Sequence, residues 1–149
     1  MPRDLPTRTA DSLRTLATPA IDVWVASASA EGAPYLVPLS LAWVDKRVVI
    51  AVEETSVTGR NIAASGRARA AVGPTRDVTM LDVELERSVP VDEDAALGTA
   101  YAAQADWDPR GQAGYVFLVL RPTRIQAWRE TDEIAGRTLL RDGAWLARS

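Results

Sequence analysis

The chain has 149 residues, of which 47% are hydrophobic and 25% are charged, so it can bury one apolar core and is composed like an ordinary globular domain. Its formal net charge of −3 argues against a nucleic-acid-binding protein, because such proteins present a clustered basic face. It contains no Cys and no His, which excludes disulfides, thiolate nucleophiles, a Ser-His-Asp hydrolase and His-dependent metal sites. Carboxylate chemistry, ligand binding and chemistry carried by a bound cofactor remain.

The N-terminal sequence and the lengths of the apolar runs bear on the cellular location of the protein. No apolar run approaches the roughly 20 residues of a membrane span, and no apolar signal core follows Met1–Asp4. We therefore expect a cytoplasmic protein that does not engage a membrane. We also expect a single domain over residues 1–149, in which residues 1–8, with two prolines, form a loose N-terminal arm.

The first half of the chain predicts one helix followed by three strands. A short helix is expected over residues 9–16 and ends before Pro19. The segments 21–29, 34–44 and 47–53 are rich in Val, Leu and Ile and are joined by short turns. They predict an antiparallel meander of three strands.

The second half predicts a second helix after the cap-type residues Ser56 and Thr58, ending at Gly66, where a left-handed residue is favoured. Leu81, Val83 and Leu85 alternate with acidic residues, so one face of their strand should contact water. In chain order, the remaining elements are strands over 67–72 and 77–89, a helix over 92–105, a strand over 115–128 with a bulge or edge at Pro122, and a small hairpin over 138–146. A mainly β protein results, best described as a closed or half-closed antiparallel barrel.

The segment Thr55–Asn61 is the strongest candidate for a binding site. A helix start offers unpaired backbone N–H groups and the positive end of the helix dipole, and both attract a phosphate. Hydroxyls at Ser56 and Thr58, the guanidinium of Arg60 and the amide of Asn61 would add contacts. The alternative is an ordinary helix cap with a surface arginine.

Tryptophans and carboxylates offer weaker candidates. Trp24 and Trp43 lie in predicted strands and are expected in the core, whereas Trp128 could stack on a planar ligand, contact a second subunit or fill the core. Asp82, Glu84 and Glu86 alternate along one strand and are best explained as a solvated face. No grouping of Asp and Glu predicts a metal site.

The order of these elements resembles the pyridoxamine 5′-phosphate oxidase-like split barrels. The segments that carry the resemblance are 33–40, 56–62, 66–69 and 76–78, with 125–129 and 136–143 in the tail. The resemblance covers roughly residues 10–147. It implies a six-stranded antiparallel split β-barrel of Greek-key type with two to three short helices, which forms a homodimer.

The resemblance also implies a flavin-type cofactor, FMN or the deazaflavin coenzyme F-420, bound between two subunits. Its phosphate would lie at Ser56, Thr58, Arg60 and Asn61. Its ring would lie along two strands, and Trp128 of the second subunit would cover it; the strand positions are Val37, Pro38, Leu39, Ser40, Ile50, Ala51 and Val52.

The sequence departs from the oxidase members at three points. Those members carry an Arg-Lys pair where this chain has Val57 and Thr58, an arginine where it has Val37, and a substrate-binding histidine that it lacks. The resemblance therefore implies cofactor binding rather than oxidation of pyridoxamine phosphate.

Two functions follow as expectations. The first is an oxidoreductase without a catalytic side chain of its own, which moves a hydride between the cofactor and a small organic substrate. The second is a non-catalytic split barrel that binds or stores a flavin or another small ligand. A homodimer is expected for an independent reason, because a half-open barrel leaves sheet edges and apolar surface that proteins usually cover.

Overall fold

The computed structural model describes residues 1–147, so the last two residues of the predicted domain lie outside the described part. The helices and strands, in chain order, are α1 Leu5–Leu16, β1 Asp22–Ala28, β2 Pro34–Ser40, β3 Ala42–Val44, β4 Arg47–Glu53, α2 Val57–Ser65, β5 Arg67–Val72, β6 Val78–Pro90, α3 Ala95–Ala105, β7 Tyr115–Trp128, a short 3-10 helix Thr131–Glu133, β8 Thr138–Arg141 and β9 Ala144–Trp145.

The described strands form one antiparallel sheet in the order β2-β1-β5-β6-β7-β4-β3, with the small hairpin of β8 and β9 attached to β7. The sheet is not closed, since β2 and β3 form its two ends. The mainly β fold with three helices is as predicted, but the strand count differs. Nine strands replace the expected six because one predicted strand is divided and the terminal hairpin adds two.

The divided strand corrects the expected meander. Residues 34–44 bend at Leu41, which is fully buried and whose N–H donates to Ile21 O at 3.2 Å. Before the bend β2 pairs with β1, and after it β3 pairs with β4. The side-chain pattern runs through the bend without a break, so it does not reveal the exchange of backbone partners.

The core has two parts because successive side chains of a strand point to opposite faces. In β4, Val48 and Ile50 belong to the main cluster inside the curled sheet. Val49 and Ala51 belong to a second cluster beneath α3. β4 is therefore buried on both faces, which explains its nearly continuous apolar sequence.

The N-terminal segment is not a loose arm over its whole length, as the sequence had suggested. α1 begins at Leu5, and the Asp4 side chain accepts a hydrogen bond from the Thr7 N–H at 2.9 Å. Pro6 lies in the first turn, where a helix tolerates proline because no intrahelical N–H bond is lost. Arg3 is held by Glu133, with 2.7 Å between Arg3 Nη2 and Glu133 Oε1.

Several local predictions are confirmed. Gly66 ends α2 with φ of 74°, and β6 alternates between buried Leu81 or Val83 and more exposed acidic residues. The register between β6 and β7 shifts beside Pro122, which gives the expected bulge. The prediction for Trp24 is wrong, because its side chain points away from the core on the outer face of β1 and is 50% exposed.

Within residues 1–147, no helix has the combined length and apolar character needed to cross a bilayer.

Candidate functional site: a cleft between two open strand edges

A cleft of about 490 Å³ lies between β2 and β4, at the start of α2. Its volume falls within the range of small-molecule sites, and its lining is largely apolar and aromatic. The lining residues are Tyr35, Val37, Pro38, Leu39, Ser40, Ala51, Val52, Glu53, Ser56, Val57, Thr58, Trp107 and Tyr115.

The cleft exists because the bend at Leu41 separates two strands that would otherwise pair. β2 is bonded only to β1, and β3 covers β4 only as far as Val49. The segment Ile50–Glu53 therefore pairs with β7 on one side and has no neighbouring strand on the other. Backbone N–H and C=O groups along such edges are available to hydrogen-bond a ligand that enters between them.

The start of α2 forms one end of the cleft. Ser56 is the N-cap: its hydroxyl donates to Glu53 O at 2.7 Å and accepts the Gly59 N–H at 3.0 Å. These two bonds engage the Ser56 hydroxyl proton and satisfy the Gly59 N–H, which is the third N–H group of the helix. The N–H groups of Val57 and Thr58 remain to meet an anion or another acceptor.

Gly59 is required by the turn itself. A Cβ atom at this position would lie 2.7 Å from Glu53 O and 2.9 Å from Glu54 O, and both of these are backbone atoms. The glycine thus lets the helix pack closely on the preceding turn.

An aromatic cluster forms another wall. Trp107 packs edge-on against Tyr115 with 5.8 Å between ring centroids, and against Tyr101 at 6.2 Å. The loop that carries Trp107 is fixed by Arg110, whose guanidinium donates to the Asp108 carboxylate at 2.7 Å. Rings held in this way offer an apolar surface for a planar ligand.

The electrostatics of the cleft are unusual for a phosphate site. Among the described residues that line it, Glu53 carries the only formal charge and no arginine or lysine contributes. Arg60 is exposed on α2 and does not line the cleft. At this end of the cleft, the positive end of the helix dipole would attract an anion and the Glu53 carboxylate would repel it.

Eight of the twelve residues predicted for cofactor binding line this cleft. They are Val37, Pro38, Leu39, Ser40, Ala51, Val52, Ser56 and Thr58.

Four predicted residues lie elsewhere. Ile50 is fully buried in the main core, and Arg60 faces solvent. The Asn61 amide donates to Ser27 Oγ at 3.2 Å and so ties α2 to β1. Trp128 lies at the opposite end of β7 from Tyr115, with the Arg137 guanidinium 5.3 Å above its ring. The sequence pattern did not separate the two faces of β4 or the faces of α2.

Five lining residues were not predicted for the site: Tyr35, Glu53, Val57, Trp107 and Tyr115. Tyr115 opposes Glu53 in the pairing of β4 with β7, so only the register reveals it. Trp107 follows Asp106, which ends α3 in a left-handed conformation. The sequence feature that could have indicated this wall of the cleft is the presence of a tryptophan in a short loop.

No group of three or more His, Cys, Asp or Glu side chains suited to hold a metal ion occurs within residues 1–147.

Neither a protein-family model nor a curated protein sequence matches this chain. Solved structures do match it. A protein named F420 reductase shares 20% identity over 75% of this chain and 94% of its own, with a TM-score of 0.61. A heme binding protein from Mycobacterium smegmatis shares 24% identity over 87% of this chain and 55% of its own, with a TM-score of 0.64. PhzG from Burkholderia lata 383, solved with tetrahydrophenazine-1-carboxylic acid, shares 19% identity over 85% of this chain and 77% of its own, with a TM-score of 0.56.

These similarities establish the fold. The chain has the split-barrel fold found in pyridoxamine 5′-phosphate oxidase-like proteins. It spans about half the length of the mycobacterial heme binding protein.

Proposed function

We propose that this chain binds a flavin-type cofactor, FMN or coenzyme F-420, and serves as an oxidoreductase that moves a hydride to or from a small organic substrate. The observation that carries the proposal is the cleft between the open edges of β2 and β4. It combines a largely apolar lining, free backbone hydrogen-bonding groups and a helix start, and all three suit a fused-ring ligand with a polar tail.

The residues present fit the ring of such a cofactor. Val37, Leu39 and Val52 would contact its faces, and the unpaired strand edges would hydrogen-bond its rim. The cofactor, when bound, would supply hydride transfer at its ring. The contribution of the protein would be to orient the ring, exclude water and admit the substrate beside Trp107.

The fit to a phosphate is poorer. Two helix N–H groups and the Thr58 hydroxyl would meet it, but no cationic side chain of residues 1–147 lines the cleft. Charge-assisted contacts are the stronger class of hydrogen bond, and this chain supplies them only through the helix dipole.

Two structural neighbours support this ligand class. One is named F420 reductase, and another was solved with a phenazine-type carboxylic acid, which is also a fused-ring compound. A third neighbour is named as a heme binding protein, so haem belongs among the compounds to be tested.

Binding can be tested directly with the purified chain. We expect FMN, riboflavin or F-420 to raise its melting temperature and to change the absorbance of the ligand. The variant Val37→Trp, which fills the cleft wall, should lose at least about tenfold in affinity, since overpacking in a ligand slot removes the space for the ring. Ala103→Trp on the exposed face of α3 is the matched control. Binding of haem alone, or equal loss in both variants, would contradict the proposal.

A second candidate is a non-catalytic carrier of a flavin or another small ligand. The charge distribution favours it, because Glu53 is the only acidic or basic residue among the described residues of the lining, and the chain has no His or Cys to transfer a proton there. Turnover separates the two functions: a carrier would bind the cofactor tightly and show no catalytic reduction of electron acceptors with any of several reductants.

We also propose a homodimer. Leu36 is 60% exposed and Trp24 50% exposed, and both lie on the outer face of the pair formed by β1 and the edge strand β2. Apolar side chains on an unpaired strand are usually covered. That Trp128 of the second subunit covers the site remains a prediction for this dimer.

The variant Leu36→Asp is expected to shift the dimer to a monomer of 16.1 kDa, because a carboxylate cannot be buried unpaired at the interface. Light scattering after size exclusion measures this. Leu146→Asp places the same charge at another exposed leucine and should leave the dimer intact. A monomeric wild-type protein at high concentration would contradict the proposed dimer.

A further inference from the structure

Tyr101 is fully buried on α3, and its hydroxyl forms no hydrogen bond within residues 1–147. Its ring is fixed by Phe117, 5.0 Å away between centroids, and by Trp107. Phenylalanine would fill the same space without burying a polar atom. Buried hydroxyls are nearly always paired, so this one needs an explanation beyond packing.

The hydroxyl lies directly behind the cleft. Its nearest polar neighbours are the backbone amide of Ala51 and the side chain of Ser40, and both residues line the cleft. Ser40 is half-buried. The two hydroxyls therefore lie next to each other, that of Tyr101 in the wall and that of Ser40 at the surface of the cleft.

The donor and acceptor properties of these groups determine which hydroxyl donates to the other. The Ala51 amide can only donate, so it faces a lone pair of the tyrosine oxygen. Burial raises the pKa of Tyr101 above its usual value, so the phenol keeps its proton. Of the Ala51 amide and the Ser40 hydroxyl, only the oxygen of Ser40 can accept that proton. When Ser40 accepts it, the proton of Ser40 is left to point into the cleft.

We propose that Tyr101 is a positioning residue that holds Ser40 as a hydrogen-bond donor, so that the cleft selects planar ligands with a carbonyl or imine acceptor on the ring edge. This inference rests on the proposed binding of a flavin-type ligand and adds its recognition chemistry. A ring edge that carried only N–H donors would meet the serine proton and be disfavoured, because a buried donor would be left unpaired.

The test compares Tyr101→Phe, Ser40→Ala and the double variant, with riboflavin as the probe and flavin fluorescence as the measure of affinity. We expect each single variant to lose about fivefold in affinity, as for one hydrogen bond. The double variant should bind no worse than Ser40→Ala, because both changes remove one relay. Without ligand, Tyr101→Phe should melt at the same temperature as the wild type or higher, because it removes an unpaired buried hydroxyl.

Ser12→Ala is the control. It removes a buried hydroxyl that pairs with Thr79 Oγ1 at 2.9 Å, and neither residue lines the cleft. It should lower the melting temperature and leave riboflavin affinity unchanged, which is the opposite pattern to Tyr101→Phe.

The outcomes are distinct. Wild-type affinity in Tyr101→Phe, or losses that simply add in the double variant, would overturn the positioning role while leaving the proposed function in place. A wild-type protein that binds no riboflavin, FMN or F-420 would overturn both.

Discussion

Replacing Glu133 by glutamine is expected to lower the free energy of unfolding by about 3 kcal/mol, because it removes the charge of a buried carboxylate that is hydrogen-bonded to Arg3. Glu133 is 2% exposed. Its Oε2 accepts from Arg3 Nε at 2.9 Å, and its Oε1 accepts from the Arg129 N–H at 2.8 Å. It therefore ties the segment before α1 to the chain after β7. Thermal or urea unfolding measures the change, and a fall in melting temperature of about 10 °C is expected.

Glu130→Gln is the matched control three residues away. Glu130 pairs with Arg76 at 2.8 Å, but the two side chains are 58% and 78% exposed. An exposed pair of this kind contributes at most about 1 kcal/mol. Equal destabilisation by the two variants would show that burial of the Glu133 pair does not matter.

Acid should reveal the same contact. The Arg3 guanidinium and the backbone donors lower the pKa of Glu133 from 4.5 to about 2. Because the folded-state pKa lies below the unfolded-state value, the stabilisation is complete above about pH 4.5 and is lost as the pH falls towards 2. The stability difference between wild type and Glu133→Gln should therefore shrink across this window. A difference that stays constant down to pH 2 would contradict the role of the charge.

The sequence predicted the long elements well because their side-chain periodicity is strong. The strands Arg67–Val72 and Tyr115–Trp128 have the predicted bounds. The sequence pattern places the start of α1 too late, since nearby prolines indicate a loop although the first turn of a helix accepts them. The break at Leu41 was missed for a different reason: its cause is a change of backbone partner, which leaves no trace in the order of apolar residues.

The site was predictable only where it is local in the chain. The turn into α2 carries recognisable capping residues, and Ser56 caps the helix as expected. Trp107 and Tyr115 join the site from segments about fifty residues later, through pairing and loop packing that no local pattern encodes. Arg60 is only two residues from Thr58 but does not line the cleft, because residues two apart lie on different faces of a helix.

The charge of Glu53 leads to the second large effect. Glu53 is exposed and lines the cleft beside the first N–H groups of α2, where the phosphate of a flavin nucleotide would lie. No cationic residue in the described part of the chain lines the cleft to offset it. Two negative charges a few ångströms apart repel by about 1 kcal/mol even in water, and by more where the cleft excludes solvent. Wild-type protein should therefore bind FMN no more tightly than riboflavin, which lacks the phosphate.

Glu53→Gln is expected to raise FMN affinity about tenfold and to leave riboflavin affinity unchanged, because it removes only the repulsion. Glu54→Gln is the matched control, since Glu54 is the next residue, is exposed and does not line the cleft. Titration of both ligands at low and high salt measures the effect, which should weaken as salt screens the charges. If Glu53→Gln changed both ligands equally, or Glu54→Gln had the same effect, the phosphate would not lie beside Glu53. A selective gain for FMN would locate the phosphate at the start of α2 and identify one carboxylate as the reason this split barrel binds it weakly.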